Sequence, residues 1–227
     1  MPLILNIETA TDVCSVCLGQ EGNLLALRES APTQDHAAQI TLMIADCFSE
    51  AGLPMSALDA VAVSDGPGSY TSLRIGLATA KGICYALDKP LLAINTLQSI
   101  AKGVQMEMPG ADLYVPMIDA RRMEVYWQPF DHSNEAVREA EALILHPDIF
   151  EPWLQAGLSV VCAGTGSEKA QHLLSGPGVS FSDLRCSALH LLPLSEAAFA
   201  KAAFADIAYH APFYLKQPNI TTPRKGL

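Results

Sequence analysis

The chain has 227 residues, half of them hydrophobic and 17% charged, with a formal net charge of −10. That length holds one large domain or two small ones around a sizeable core, and the composition is not that of a disordered chain or a disulfide scaffold. The acidic balance argues against a protein that grips nucleic acid unaided, since phosphate binding calls for a basic stripe. The basic residues are instead scattered, with local pairs at Arg121-Arg122 and Arg224-Lys225.

In chain order, apolar runs at 3–7, 13–18 and 24–28 are separated by the turn residues Thr11-Asp12 and a polar stretch at 19–23, which predicts three strands in an antiparallel meander. Asp35 is the expected N-cap of a helix with apolar positions at Ala37, Ile40, Ile44, Cys47 and Phe48, ending at Gly52 and Pro54. A β-branched strand at 60–63 leads into Gly66-Pro67-Gly68, and a second helix is expected over 70–87, stopped by Asp88-Lys89-Pro90. A strand at 91–94 and a helix at 97–103 complete the first half. The second half reads as strands at 113–119, 124–129 and 159–162, helices at 167–174 and 195–209, and a loose polar tail over 217–227.

Three antiparallel strands followed by alternating helices and strands form the half-unit of ribonuclease H-like and actin-like (ASKHA) folds. The expected architecture is therefore α/β, with duplicated actin-like domains of mixed sheets flanked by helices. The first domain is assigned to 1–103 and the second, divergent one to 104–227, with the 195–209 helix expected to pack back on the first.

The most informative stretch is Gly66-Pro67-Gly68-Ser69-Tyr70-Thr71-Ser72-Leu73-Arg74-Ile75-Gly76-Leu77-Ala78-Thr79-Ala80-Lys81-Gly82. A glycine-rich turn between strand and helix can cradle an anion on free N–H groups. Thr71 stands where a dinucleotide fingerprint needs its last glycine, and no Gly-Lys-Ser/Thr follows at Walker A spacing. The helix behind the turn is low in bulk at Gly76, Ala78, Ala80 and Gly82, and apolar at Leu73, Leu77, Ile83, Cys84 and Leu87. Two helix-interior glycines call for close packing against another helix, inside the domain or across a subunit boundary. The partner-interface candidates are accordingly Gly66, Pro67, Gly68, Ser69, Tyr70, Thr71, Leu73, Arg74, Leu77, Ala80 and Lys81. Glu8, Thr9 and Thr11, at the end of the first strand, and Gly164 and Gly166, in Gly164-Thr165-Gly166, are the candidates for a vestigial nucleotide site. Ordinary turn and capping chemistry explains them equally well.

Other chemistries find little footing. The six histidines form neither H-x-x-x-H nor H-E-x-x-H, so no metal site is expected. Ser69 lacks a G-x-S-x-G setting and an assigned base. Cys14 and Cys17 are offset by three on a strand, which points them to opposite faces, and all six cysteines read as small buried hydrophobes. The start lacks the basic and small-residue features of a signal peptide, and no apolar run is long enough to span a membrane. A cytoplasmic location is expected.

The opening at 4–11, the block from Gly66 to Gly82, Ile118-Asp119-Ala120-Arg121-Arg122 with Glu124-Val125-Tyr126, and Pro212-Phe213-Tyr214-Leu215-Lys216 together resemble the TsaB (YeaZ) family over nearly the whole chain. The resemblance implies a two-domain actin-like protein without its own catalytic centre. Such a protein pairs with the catalytic relative TsaD, works with the ATPase TsaE, and serves threonylcarbamoyladenosine formation on tRNA. It implies contact with tRNA only through the complex, ATP and metal held by the partner proteins, and a homodimer when the chain is isolated. It also implies that first-domain helices build the heterodimer, and TsaD's paired-histidine metal motif has no counterpart in this sequence. Glu8 stands where relatives usually carry Asp, and Ser72 where glycine is common. The competing expectation is an enzyme in its own right, either a glycoprotease-type metallopeptidase or an ATP-dependent actin-like phosphotransferase.

Overall fold

The structure is a computed structural model that describes residues 2–32 and 35–216. The tail at 217–227, with Arg224-Lys225, lies outside the described residues.

The first sheet opens with the antiparallel meander β1 (Leu3–Glu8), β2 (Ser15–Gln20) and β3 (Asn23–Glu29). After α1 (His36–Ala51), β4 (Ala60–Gly66) joins β1 in parallel. Then α2 (Tyr70–Leu87) leads to β5 (Leu91–Asn95), giving the order β3-β2-β1-β4-β5. All six β1 residues are buried, because helices cover both faces of the sheet. Leu3, Leu5 and Ile7 pack with Val61 and Val63 beneath α1 and α2. Ile4 instead joins Ala60, Ala62, Leu92 and Leu191 on the other face.

The first two helices carry clear end signals. The Asp35 carboxylate accepts from the Ala37 N–H at 3.0 Å, Gly52 closes α1 in the left-handed conformation, and buried His36, Ile40, Met43, Ile44 and Cys47 recur at helical spacing. Ser69 caps α2, and its hydroxyl accepts from the Ser72 N–H.

The second sheet follows α3 (Thr96–Glu107). It contains β6 (Leu113–Asp119), β7 (Glu124–Trp127), β8 (Phe130–Asp131), β9 (Glu141–Ile144), β10 (Val160–Ala163) and β11 (Val179–Phe181), with α4 (Glu151–Gln155) and α5 (Ser167–Leu174) between them. Its order is β11-β10-β6-β7-β9, with β8 paired to β6. Neither β8, β9, α4 nor β11 was expected from the sequence. They are short, and their apolar residues show no clear period.

The last helix corrects an expectation. Instead of 195–209 it is α6 (Ala188–Ala200), capped by Ser187 and containing Pro193. The internal proline interrupted the apolar run that marks its true start, while alanine richness after Ser195 extended the reading too far. Past Ala202 (φ +50°), the Asp206 carboxylate accepts from the Ala208 and Tyr209 N–H groups, a local turn that competes with helix. α6 lies on the first sheet so closely that a β-carbon on Gly19 would fall 1.6 Å from Leu192 Cδ1. Cys17 sits under α6 with Ala188 and Leu192, whereas Cys14 lies in the core under α1, so the two thiols do occupy opposite faces.

Residues 203–216 then return along α2 as an extended strap. Ala205 pairs with Leu91, Lys81 Nζ donates to the His210 carbonyl at 2.7 Å, and the Phe213 N–H donates to the Asp65 carbonyl at 2.7 Å.

Candidate functional site

A cleft of about 1750 Å³ opens between the two sheets. The turn after β1 (Ala10, Thr11, Asp12) and the start of α2 line one side. The β6–β7 turn (Asp119 to Arg122), Gly164 and Thr165 line the other, and Phe213 to Lys216 of the strap lie across it.

The glycine-rich block packs closely at Gly66, Gly68 and Gly76, the last against Thr9 and not against another helix, whereas Gly82 meets nothing within 4 Å. A β-carbon on Gly66 would meet the Phe213 carbonyl oxygen at 2.4 Å, one on Gly68 the Ala10 carbonyl oxygen at 2.4 Å, and one on Gly76 Thr9 Oγ1 at 2.2 Å. Gly66 also has φ +122°, which glycine alone adopts readily. The Ser69 N–H is already spent on the Ala10 carbonyl at 2.7 Å, so the loop is locked onto the β1–β2 turn.

The interface candidates separate by burial. Leu73 and Ala80 are fully buried and Leu77 is 5% exposed, so these three belong to the core and offer nothing to a partner. Helical phase decides this: Leu73, Gly76, Leu77, Ala80 and Cys84 form the inward stripe of α2. The outward stripe is Thr71, Arg74, Ala78, Gly82 and Tyr85. Arg74 lies 4.2 Å above the Tyr70 ring and donates to the Tyr214 hydroxyl at 3.1 Å, which ties the helix start to the strap. Lys81 is engaged by the strap. Pro67, Gly68, Ser69 and Tyr70 line the cleft and are no part of the outward stripe. Beside α2, α1 exposes Ala37, Ala38, Thr41, Leu42 and Ala45.

The nucleotide-site candidates also come apart. Glu8 is fully buried and turned inward, its Oε1 accepting from the Ala10 N–H at 2.6 Å and from Ser64 Oγ at 2.8 Å. Burial pushes its carboxyl up to about 7 against those bonds. Thr9 is buried too, donating from Oγ1 to the Ser72 carbonyl at 2.9 Å. Thr11 and Gly164 do line the cleft. Gly164 (φ +94°) is packed on the Met117 carbonyl, and Gly166 fits under Val125 away from the cleft. The residues present therefore do not fit a nucleotide whose metal would be held by the first-strand acid.

Salt links hold the cleft walls. Asp12 pairs with Arg185 at 2.6 Å, Asp119 with Lys169 at 2.5 Å, and Glu124 with Lys216. Lys169 also donates to the Arg122 and Glu124 carbonyls, at 2.9 and 2.5 Å. The His36 ring lies 3.1 Å from the Thr11 carbonyl, and His210 faces Asp65 at 3.4 Å. Burial raises the Asp65 carboxyl, and the His210 charge draws it back. The sequence disclosed none of these links, because their partners lie tens of residues apart. Burial also raises all six thiols, Cys14, Cys47 and Cys84 to about 11. Among the described residues no group of three His, Cys, Asp or Glu side chains is placed to hold a metal ion, and no helix is long and apolar enough to cross a membrane.

Two lobes of mixed sheet flanked by helices, meeting at a polar cleft, define an actin-like protein. In line with this, (R)-2-hydroxyglutaryl-CoA dehydratase component A of Acidaminococcus fermentans shares the fold, with a TM-score of 0.53 at 10% identity over 89% of this chain and all of that one. Residues 30–223 match the family model of TsaD, tRNA N6-adenosine threonylcarbamoyltransferase. The tRNA threonylcarbamoyladenosine biosynthesis protein TsaB of Escherichia coli K12 is 31% identical over 94% of both chains. YeaZ from Pseudomonas aeruginosa has a TM-score of 0.83 at 30% identity, over 95% of this chain and all of that one. A P. aeruginosa protein described as similar to the peptidase YeaZ reaches 0.85 over the same shares. The chain belongs to the TsaB family.

Proposed function

We propose that this chain is a non-catalytic subunit of the machinery that makes threonylcarbamoyladenosine on tRNA, and that it docks on TsaD through the outward faces of α1 and α2. A role in that biosynthesis follows from the family. The docking assignment rests on one observation: two neighbouring helices turn small side chains to solvent, while Tyr85 stands 84% exposed and Leu42 61% exposed among them. Small residues let a facing helix approach closely, and isolated large apolar groups serve as anchors. TsaE joins the same assembly, ATP and metal belong to the partner proteins, tRNA is met through the complex in the cytoplasm, and the isolated chain forms a homodimer through the same face.

Ala78→Glu with Gly82→Glu tests the surface, since both positions are exposed. The double variant keeps its thermal melt yet loses co-elution with TsaD on a sizing column. Undiminished co-elution overturns the assignment. Leu73 and Leu77 are unsuitable probes, because charges there destroy the core of α2.

The inward turn of Glu8 supports the non-catalytic reading. The competing reading is an enzyme acting alone, either a glycoprotease-type metallopeptidase or an ATP-dependent actin-like phosphotransferase. Threonylcarbamoyl transfer, stoichiometric metal or tight ATP binding by the isolated chain establishes it instead.

A further inference from the structure

The β6–β7 turn holds Arg121 at φ +72° and Arg122 at φ +52°. Two consecutive left-handed residues at a hairpin turn are the natural place for Asn-Gly, because side chains with a β-carbon are strained there. Two arginines occupy these positions, and the surroundings hold them in place. Asp119 Oδ1 accepts from the Arg121 N–H at 2.8 Å. Lys169, only 20% exposed, spends its ammonium on Asp119, the Arg122 carbonyl and the Glu124 carbonyl. Strained backbone kept in place by such supports is characteristic of functional positions.

Both arginines line the cleft, and among the described residues neither has a carboxylate within ion-pair distance. Three nearby acids are already committed: Asp12 to Arg185, Asp119 to Lys169 and Glu124 to Lys216. Glu168 and Asp183 also line the cleft, whose five carboxylates (with Asp12, Asp119 and Glu124) face four cationic side chains, Arg121, Arg122, Arg185 and Lys216. Two unpaired guanidinium groups are thus displayed on a rigid tip in a chain whose formal charge is −10. Planar forks of N–H donors match phosphate oxygens in paired hydrogen bonds.

We propose that Arg121 and Arg122 form a phosphate-binding site facing the cleft, taking either a backbone phosphate of RNA or a phosphate of a free nucleotide. The site is separate from the α1–α2 docking face and survives or fails independently of it. Binding is modest, since the acidic remainder of the molecule repels a polyanion, and it weakens as salt rises.

The experiment titrates the full chain at low salt with two probes, a fluorescent RNA stem-loop, followed by anisotropy, and ATP or inorganic pyrophosphate, followed by calorimetry. Three variants are compared with the parent: Arg121→Ala/Arg122→Ala, Arg121→Lys/Arg122→Lys, and Arg121→Asn/Arg122→Gly. The parent binds at least one probe. The alanine pair binds it at least tenfold more weakly, and the lysine pair falls between. For RNA, the salt slope drops by about one per arginine removed.

The Asn-Gly variant loses binding but gains roughly 2–4 °C in Tm, because the turn's strain is released. That gain separates loss of the site from loss of the fold. RNA binding alone identifies the source as a nucleic acid backbone, and pyrophosphate or ATP binding identifies it as a free nucleotide. Failure of both probes to bind, or binding that is unaltered in the alanine pair, overturns the proposal.

Discussion

Glu8 offers the most direct physical test of the inward turn at the end of β1. Its carboxyl is fully buried and raised from an ordinary 4.5 to about 7, chiefly by desolvation. Below pH 4.5 both the folded and unfolded chains keep the proton, and the folded state bears no penalty. Between 4.5 and 7 the unfolded chain releases it first, so the folded state binds more protons and stability falls as pH rises. Above 7 both are ionised, and the folded state carries a buried charge. The gap amounts to about 3 kcal/mol.

The assay is urea unfolding of the parent and of Glu8→Gln across pH 4 to 8, read as the difference between the two so that all other titrating groups cancel. Relative to the glutamine variant, the parent loses about 3 kcal/mol between the two ends of the window. A difference that stays constant across it would show that Glu8 titrates as an exposed acid, and the inward-facing geometry would then be wrong.

Two further outcomes follow from packing. Gly76→Ala places a methyl 2.2 Å from Thr9 Oγ1 and destabilises by about 1–3 kcal/mol in chemical denaturation, with Thr9→Ala restoring part of the loss. Gly82→Ala, on the same helix with nothing within 4 Å, stabilises by up to about 1 kcal/mol. Lys169→Met strips the Asp119, Arg122 and Glu124 oxygens of their shared donor. It costs about 1–3 kcal/mol and speeds amide exchange at 119–125, and unchanged exchange there would refute the clamp.

Much of the first lobe could be read locally. The α2 limits at Tyr70 and Leu87 were legible from the Gly66-Pro67-Gly68 turn before it and the Asp88-Lys89-Pro90 stop after it, and Asp35 and Gly52 marked the ends of α1. The family was legible in the block from Gly66 to Gly82, where Gly66 and Gly68 must admit other backbone and Gly76 the Thr9 side chain. Orientation was not legible. Leu73, Leu77 and Ala80 were expected at a partner surface, but the phase of α2 against β4 turns them into the core. α6 was misplaced because its helix signal is split by Pro193, and its burial depends on a sheet nearly two hundred residues earlier.

By itself, the order of residues determined the strand and helix succession of the first lobe, the ends of α1, and the presence of an arginine pair after Asp119. Those properties depend on interactions between residues a few positions apart. Tertiary structure alone decided that Glu8 turns inward to Ser64, that Lys169 braces the arginine turn, and that the strap ties Tyr214 to Arg74. Each of these rests on burial and on contacts between distant segments, whose energies exist only once both lobes are packed.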